Sequence, residues 1–213
     1  MSTIFIYSDA FEIGGYPDQS PFKTGRPGAT KAMAEEMGLL GRDEVVEPVA
    51  AAREELLAVH TPAYLDALAR AGDGTLDADG LPFGLPGPDC PLWLGMDRYL
   101  ARVVGSTLTG AKLLLDGSAA VVFSPMGGLH HTFPERAAGF CYLNDVAIAV
   151  MHLAAAGRRV AVLDVDVHHG DGTQHVFYDR DDVLTVSIHQ GYGTLFPGTG
   201  AVDDVGAGAG RGD

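Results

Sequence analysis

Short apolar runs alternate with helical segments along this chain, and this alternation limits its fold more than any other feature. Strand-like apolar runs cover residues 3–7, 119–123, 160–167 and 183–189. Helical patterns cover residues 29–40, 51–59, 62–71, 95–115, 144–155 and 173–178. Strands that are apolar on both faces and are separated by helices indicate a parallel sheet with helices on both faces. The predicted class is therefore α/β.

The length of the chain predicts one domain. Its 213 residues suffice for a single hydrophobic core, and no repeat or linker divides them, so we expect residues 1–213 to form one unit. Glycine and proline predict loops at residues 14–28 and 72–91, and the second is long enough to be functional. The final stretch 206–213 (GAGAGRGD) is too flexible to close a core, so a domain should not stop there.

The charge balance restricts the possible partners. With 28 acidic and 14 basic residues the formal net charge is −14, which argues against direct nucleic-acid binding and is compatible with a cationic substrate or basic protein. The two cysteines, Cys90 and Cys141, do not suggest a disulfide-stapled secreted scaffold. There is no signal-peptide or membrane-span pattern, so we expect a cytoplasmic protein without a membrane partner. The oligomeric state is not readable from the sequence.

A run of acids and histidines ends the predicted strand 160–167: Asp164-Val-Asp166-Val-His168-His169-Gly-Asp171. Alternate residues of an extended chain share a face, so Asp164, Asp166 and His168 should project together. They would do so at the carboxyl edge of the sheet, where open α/β folds bind ligands. Carboxylate oxygen and imidazole nitrogen suit a divalent ion such as zinc. The alternative is a solvated strand-end cap, which this density of acids and histidines disfavours.

A second motif contains paired glycines and paired histidines. Gly127-Gly128-Leu129-His130-His131 is followed by Gly139-Phe140-Cys141-Tyr142-Leu143-Asn144-Asp145. Adjacent histidines can transfer protons near neutral pH, provided that a carboxylate fixes each tautomer. Asp164 and Asp171 are available for this in the first motif. On its own, a pair of histidines is more often a surface feature or an incidental metal binder.

The blocks GGLHHTFPERAAGFCYLND and VLDVDVHHGDGTQ resemble signatures of the histone deacetylase superfamily. This superfamily includes class I and II deacetylases, acetoin-utilisation proteins and acetylpolyamine amidohydrolases. Further matches lie at residues 60–64, 89–91 and 196–200. The resemblance implies the arginase/deacetylase α/β fold and zinc-dependent hydrolysis of acetyl-lysine or acetylated amines, with release of acetate. Its implied partners are acetylated lysine side chains or acetylpolyamines.

The resemblance also implies roles for single residues. His130 and His131 match the tandem general acid/base histidines, with His131 as the base for zinc-bound water. Asp164 would orient His130, and Asp171 would orient His131. The implied zinc ligands are Asp166 and His168. The implied substrate contacts are Asp89, Gly139, Phe140, Leu195 and Phe196.

A structural monovalent-cation site, for potassium, is implied as well. Its residues are Ser187 and the Ile188 carbonyl, together with Asp164, Asp166 and His168. Arg26 is a loose match to a buried channel arginine of the family. By contrast, we expect His152, His175 and His189 to be structural.

The sequence departs from the family pattern after residue 200. The family's third zinc ligand, an aspartate, and its oxyanion-stabilising tyrosine lie beyond the segment at 196–200, where only residues 201–213 remain. Asp203 and Asp204 lie too close to that segment to be the ligand. We therefore expect the N-terminal part of a deacetylase domain, incomplete at its C-terminus. The alternatives are a non-catalytic acyl-lysine-binding module and a binuclear manganese hydrolase of the arginase type.

Overall fold

The computed structural model describes residues 2–18, 20 and 22–212. These residues form five strands and six α-helices. The strands are β1 (Thr3–Ile6), β2 (Val45–Val46), β3 (Val121–Phe123), β4 (Val160–Asp164) and β5 (Val183–Ser187). The helices are α1 (Arg26–Glu36), α2 (Arg53–Leu56), α3 (Pro62–Gly72), α4 (Met96–Leu115), α5 (Asp145–Ala155) and α6 (Asp171–Phe177).

All the strand pairs are parallel, as the alternation of strands and helices predicts. One sheet has the order β2-β1-β3, with Phe5 beside both Val45 and Phe123. The other sheet pairs β4 with β5, from Val160 beside Val183 to Asp164 beside Ser187. The α/β class is therefore confirmed. Among the described helices, none is long and apolar enough to cross a membrane.

The main core lies between the first sheet and helices α3, α4 and α5. Helix α4 contacts β1, β3, α3 and α5, and its Leu100 and Tyr99 are buried. Helix α3 begins as the sequence predicts: the Thr61 hydroxyl accepts the N–H of Tyr64, and Pro62 occupies the first turn. The Tyr64 ring is buried in the same core. Helix α5 links this core to the second sheet, since it contacts α4, β4 and α6.

The second sheet is covered on one face only. On the covered face Val183 packs with Val150 of α5 and Phe177 of α6. The opposite face is apolar and exposed in the described residues. This open face consists of Leu163, Val165, Leu184, Val186 and Ile188, and Leu163 and Ile188 are 63% and 64% exposed.

Strand β4 is shorter than predicted and ends at Asp164 rather than at residue 167. The Asp164 carboxylate accepts the N–H of Asp166 at 3.0 Å, and the Asp166 carboxylate accepts the N–H of His168 at 2.8 Å. These bonds from side chain to backbone compete with the regular strand ladder. Asp166 and His168 therefore lie on a bent segment, and the expectation that they share a strand face with Asp164 was wrong.

Other boundaries also differ from the sequence prediction. Helix α1 begins at Arg26, three residues early, with Pro27 in its first turn, and α2 is reduced to Arg53–Leu56. A 3-10 helix at Ala78–Phe83 lies within the predicted loop 72–91. In the final stretch the N–H of Ala207 donates to the Tyr178 carbonyl at 2.8 Å, and Gly210 is buried while its described neighbours are exposed. Asp213 lies outside the described residues.

Candidate functional site

A cavity of about 540 Å³ brings both sequence motifs together. It lies beside the loop that follows β3, the segment after β4 and the loop that contains Phe196. Its lining residues are Phe22, Arg26, Asp89, Gly127, Gly128, Leu129, His130, His131, Gly139, Phe140, Cys141, Asp166, His168 and Phe196. Eight of the residues that the sequence analysis selected for catalysis, substrate and zinc therefore border one space.

The two histidines form parallel pairs with carboxylates. His130 Nδ1 lies 2.5 Å from Asp164 Oδ2, and His131 Nδ1 lies 2.8 Å from Asp171 Oδ1. Both imidazoles are buried, and their ring centroids are 4.1 Å apart. Because Nδ1 of each ring is held by an acid, Nε2 is the nitrogen left for a ligand in the cavity.

The first pair favours its charged form. Burial disfavours a charged His130, but the hydrogen bond and negative charge of Asp164 outweigh burial, and the pKa of His130 is raised. Burial likewise opposes ionisation of Asp164, but the hydrogen bond and charge of His130 together with the Asp166 N–H outweigh it, so the pKa of Asp164 is lowered. The two shifts agree in stabilising an imidazolium beside a carboxylate.

The backbone near Phe140 takes an unusual conformation. Gly139 and Phe140 have φ of +53° and +66°, and a Cβ on Gly139 would collide with the His131 ring. A phenylalanine in the left-handed region is strained and persists only where its surroundings hold it. The Tyr16 hydroxyl supplies such a contact by donating to the Phe140 carbonyl at 2.7 Å. The sequence analysis missed Tyr16, for which only its place in a glycine-rich loop gave a signal.

Aromatic rings form walls of the cavity, as predicted for Phe140 and Phe196. The Phe196 ring meets the His131 ring edge-on, with centroids 5.0 Å apart. Exposed Asp89 lies at the border of the same space. Leu195 is not among the residues that line this cavity. Its role as a substrate contact stays a prediction.

Asp166 and His168 offer zinc-type donors at this cavity. Asp166 Oδ1 and His168 Nδ1 are 2.9 Å apart, so both atoms can approach one ion. Burial opposes ionisation of Asp166, but bonds from the backbone N–H and ring of His168 prevail and lower the pKa of Asp166. Across residues 2–18, 20 and 22–212, no group of three or more histidines, cysteines or acids could hold a metal. Carboxylate oxygen and imidazole nitrogen are donor types that suit zinc, and catalytic zinc sites usually have three protein ligands.

A second cavity of about 390 Å³ lies behind the first pair. Asp164, Ser187, Ile188 and His189 line it, so three residues of the implied monovalent-cation site come together there. Asp166 and His168 do not line it, although the resemblance places them in the same cation site. The Ser187 hydroxyl and His189 Nδ1 are 2.8 Å apart, which is consistent with the structural role expected for His189.

A buried polar network behind the cavity was not assigned a role from the sequence. Its members include His60, Thr107, Asn144, Asp145 and Thr173. Asn144 and Asp145 lie in the GFCYLND block, and His60 begins the match at 60–64. The sequence motifs therefore included these residues, but their hydrogen-bond partners could be identified only from the structure.

Comparison with known proteins gives the same family throughout. A family model described as histone deacetylase domain matches residues 20–213. The acetoin utilization protein AcuC of Bacillus subtilis is 39% identical over 212 residues, which are 99% of this chain and 55% of that protein. Histone deacetylase 8 of Xenopus tropicalis is 41% identical over 189 residues, which are 87% of this chain and 51% of that protein.

Solved structures share the fold. The crystal structure of a histone deacetylase homologue from Aquifex aeolicus matches with a TM-score of 0.92 and 31% identity, covering 100% of this chain and 57% of that one. A homologue complexed with SAHA matches with a TM-score of 0.89 and 30% identity, again over 57% of its chain. The chain thus spans about half the length of the curated relatives it matches.

Proposed function

This chain belongs to the histone deacetylase family, and from that premise we propose that it supplies the N-terminal part of a zinc-dependent deacetylase domain. The proposed reaction is hydrolysis of the amide bond of acetyl-lysine or an acetylated amine, which releases acetate. The observation that carries the proposal is the pair of buried histidines, each bonded to its own acid beside a cavity that also receives Asp166 and His168.

The histidines supply the proton transfers of this reaction. Hydrolysis forms a bond from carbon to the water oxygen, breaks the bond from carbon to nitrogen, and moves one proton from water to the departing amine. His131 Nε2 accepts the proton from water, while Asp171 at Nδ1 fixes the tautomer and supports the imidazolium. His130, whose charged form is favoured by Asp164, stabilises negative charge that develops on the oxygen.

Asp166 and His168 would hold the zinc ion, with a third ligand from beyond the described residues. When bound, zinc polarises the amide carbonyl and lowers the pKa of a bound water from about 16 towards about 7. Asp164, Ser187 and the Ile188 carbonyl would hold a potassium ion, which would stabilise the segment behind His130.

The aromatic lining of the cavity supports an apolar substrate stem. Phe140 and Phe196 give apolar contact to methylene groups, the Gly139 carbonyl would accept the substrate amide N–H, and Asp89 would contact the substrate at the rim. The net charge of −14 favours cationic substrates such as basic peptides or polyamines. The homologue complexed with SAHA supports ligand binding in this fold. A cytoplasmic location is also part of this proposal.

The test begins with the intact mass of the natural, untagged protein, compared with 22.3 kDa. On that protein, His131→Ala should lower deacetylase turnover at least about a hundredfold and leave zinc bound. Asp166→Ala should instead lose the zinc, as measured by elemental analysis. Near-wild-type turnover of His131→Ala would remove His131 from the mechanism, and full zinc retention in Asp166→Ala would remove its ligand role.

Metal content also separates the enzyme from the non-catalytic acyl-lysine-binding module. About one tightly held zinc per chain, together with acetate release, supports the deacetylase. Binding of an acetylated peptide without zinc and without acetate release would support the binding module instead.

A further inference from the structure

The two histidines lie on a loop that is fastened on both sides by consecutive residues at the start of α5. Asp145 contacts the backbone just before His130, and Asn144 contacts the backbone just after His131. Both side chains are fully buried. Neither contacts the cavity, so neither is explained by substrate or metal binding.

Asp145 holds the turn formed by Gly127 and Gly128, which precedes the two histidines. Its carboxylate accepts the N–H of Leu129 at 2.8 Å, the N–H of Gly128 at 3.1 Å and the hydroxyl of Thr107 at 2.5 Å. Both Asp145 and Thr107 crowd Gly127, where any Cβ would collide with their oxygens. Gly128 has φ of +95°, a conformation that glycine adopts without strain. Glycine is thus required at 127 by the close approach of this carboxylate and at 128 by the positive φ.

Asn144 fastens the other side while also capping the helix. Its side-chain oxygen accepts the N–H of Ala147 at 2.9 Å, which is the N-cap bond of α5. Its amide group donates to the Thr132 carbonyl and to the Thr173 hydroxyl, both at 3.1 Å. The Thr173 N–H in turn donates to the His130 carbonyl at 3.0 Å.

An acid in the first turn of a helix can stabilise that helix by its charge alone, but the contacts of Asp145 reach further than its own helix. Its carboxylate bonds come from α4 and from the loop, which are 38 and 16–17 residues away in sequence. Burial raises the pKa of Asp145, and the three donors work against that rise. Burying a carboxylate costs free energy unless hydrogen-bond donors satisfy it. Here the three donors satisfy Asp145, and Asp145 in turn gives them a fixed acceptor.

We propose that Asn144 and Asp145 are positioning residues that set the place of His130 and His131 relative to the substrate. This inference rests on the deacetylase function proposed above. A shift of about 1 Å in a catalytic group lowers a rate about a hundredfold, so slackening either contact should slow the chemical step. Substrate affinity, which depends on the cavity walls, should change little.

The test compares Asp145→Asn with the exposed acid control Asp43→Asn, which removes the same charge elsewhere. Hydrogen exchange measured by NMR should show protected amides at Gly128 and Leu129 in the wild type. In Asp145→Asn these amides should exchange about tenfold to a hundredfold faster, because a charge-assisted bond is lost. Amides in the middle of α4 should stay protected in both variants, which shows that the fold persists.

Kinetics on the natural protein provide the second measurement. Asp145→Asn should lower kcat at least about tenfold with KM unchanged, whereas Asp43→Asn should match the wild type. Unchanged exchange at Gly128 and Leu129 would overturn the contact. Faster exchange with unchanged kcat would overturn the positioning role. A wild type without deacetylase activity would refute the proposed function and the positioning role with it, while the exchange data would still report on the contact alone.

A second variant covers the case in which Asp145→Asn does not fold. Asn144→Ser keeps an oxygen of the type that caps helix N-termini, adds no charge, and loses the amide donor to Thr132 and Thr173. The Ala147 amide should remain protected, and kcat should again fall with KM unchanged. A normal kcat in this variant would show that the second contact does not position the histidines.

Discussion

Two regions of the molecule differ in how completely they are packed. The closed region comprises the sheet β2-β1-β3 with α3, α4 and α5, and its interior residues, such as Ile6 and Leu100, are fully buried. The open region comprises β4, β5 and the segments that follow them, and Leu163 and Ile188 on its open face are mostly exposed. The site lies between the two: the closed region fixes the histidines, and the open region supplies the acids. The two histidines are thus anchored where packing is complete.

The largest effect should follow from a cavity made in the closed region. Leu100→Ala removes a fully buried side chain from α4 and should lower the free energy of unfolding of this chain by about 3 kcal/mol. Urea denaturation measures the change. A loss below about 1 kcal/mol would mean that the closed region is packed no better than the open one.

A smaller effect should appear as pH falls, through His60. This imidazole is buried between the Asn144 N–H at Nε2 and the Pro134 carbonyl at Nδ1, and burial lowers its pKa from 6.5 to about 4. Below about pH 6.5 the unfolded chain therefore binds a proton at His60, whereas in the folded chain His60 stays neutral until pH approaches 4. The contribution of neutral His60 to the free energy of unfolding is therefore complete above that pH and is lost as pH falls towards 4.

Between pH 7.5 and pH 5.0 this loss should amount to about 2 kcal/mol. Urea unfolding at both pH values should show a smaller pH dependence in His60→Gln by that amount, because glutamine does not titrate. Equal pH dependence in the variant and the wild type would show that His60 is not held neutral.

The smallest effect is expected on the open face. Leu163→Ser changes an exposed side chain and should alter the free energy of unfolding by less than about 0.5 kcal/mol. Urea denaturation again measures the change, and Leu100→Ala provides the comparison with a buried side chain. A loss of several kcal/mol would mean that this face is covered in solution, and the contrast between the regions would then not hold.

Local signals in the sequence predicted much of this fold. The Thr61-Pro62 start of α3 and the parallel order of the strands follow from residues near each other in the chain. The end of β4 was missed, because apolar Val165 and Val167 continue the strand pattern while the Asp164 and Asp166 carboxylates bend the backbone. Strand propensity alone does not weigh that competition.

The site was predictable where motifs carry it and hidden where distant contacts do. His130, His131, Asp166 and His168 were selected from spacing and resemblance, and the structure brings them to one cavity. The hydrogen bond from the Tyr16 hydroxyl to the Phe140 carbonyl joins residues 124 positions apart, and no local sequence pattern predicts it. Asn144 and Asp145 were visible in a motif, but their partners became apparent only in three dimensions.

The open face has a consequence for the behaviour of many copies in solution. The five aliphatic side chains of the open face, on β4, β5 and the residues that follow them, form an exposed apolar patch, and such patches favour association between molecules. The formal charge of −14 opposes this attraction by repulsion between copies. Salt shortens the range of the repulsion to about 8 Å at physiological strength while leaving the apolar attraction in place. Colloidal stability of this chain should therefore decline as ionic strength rises.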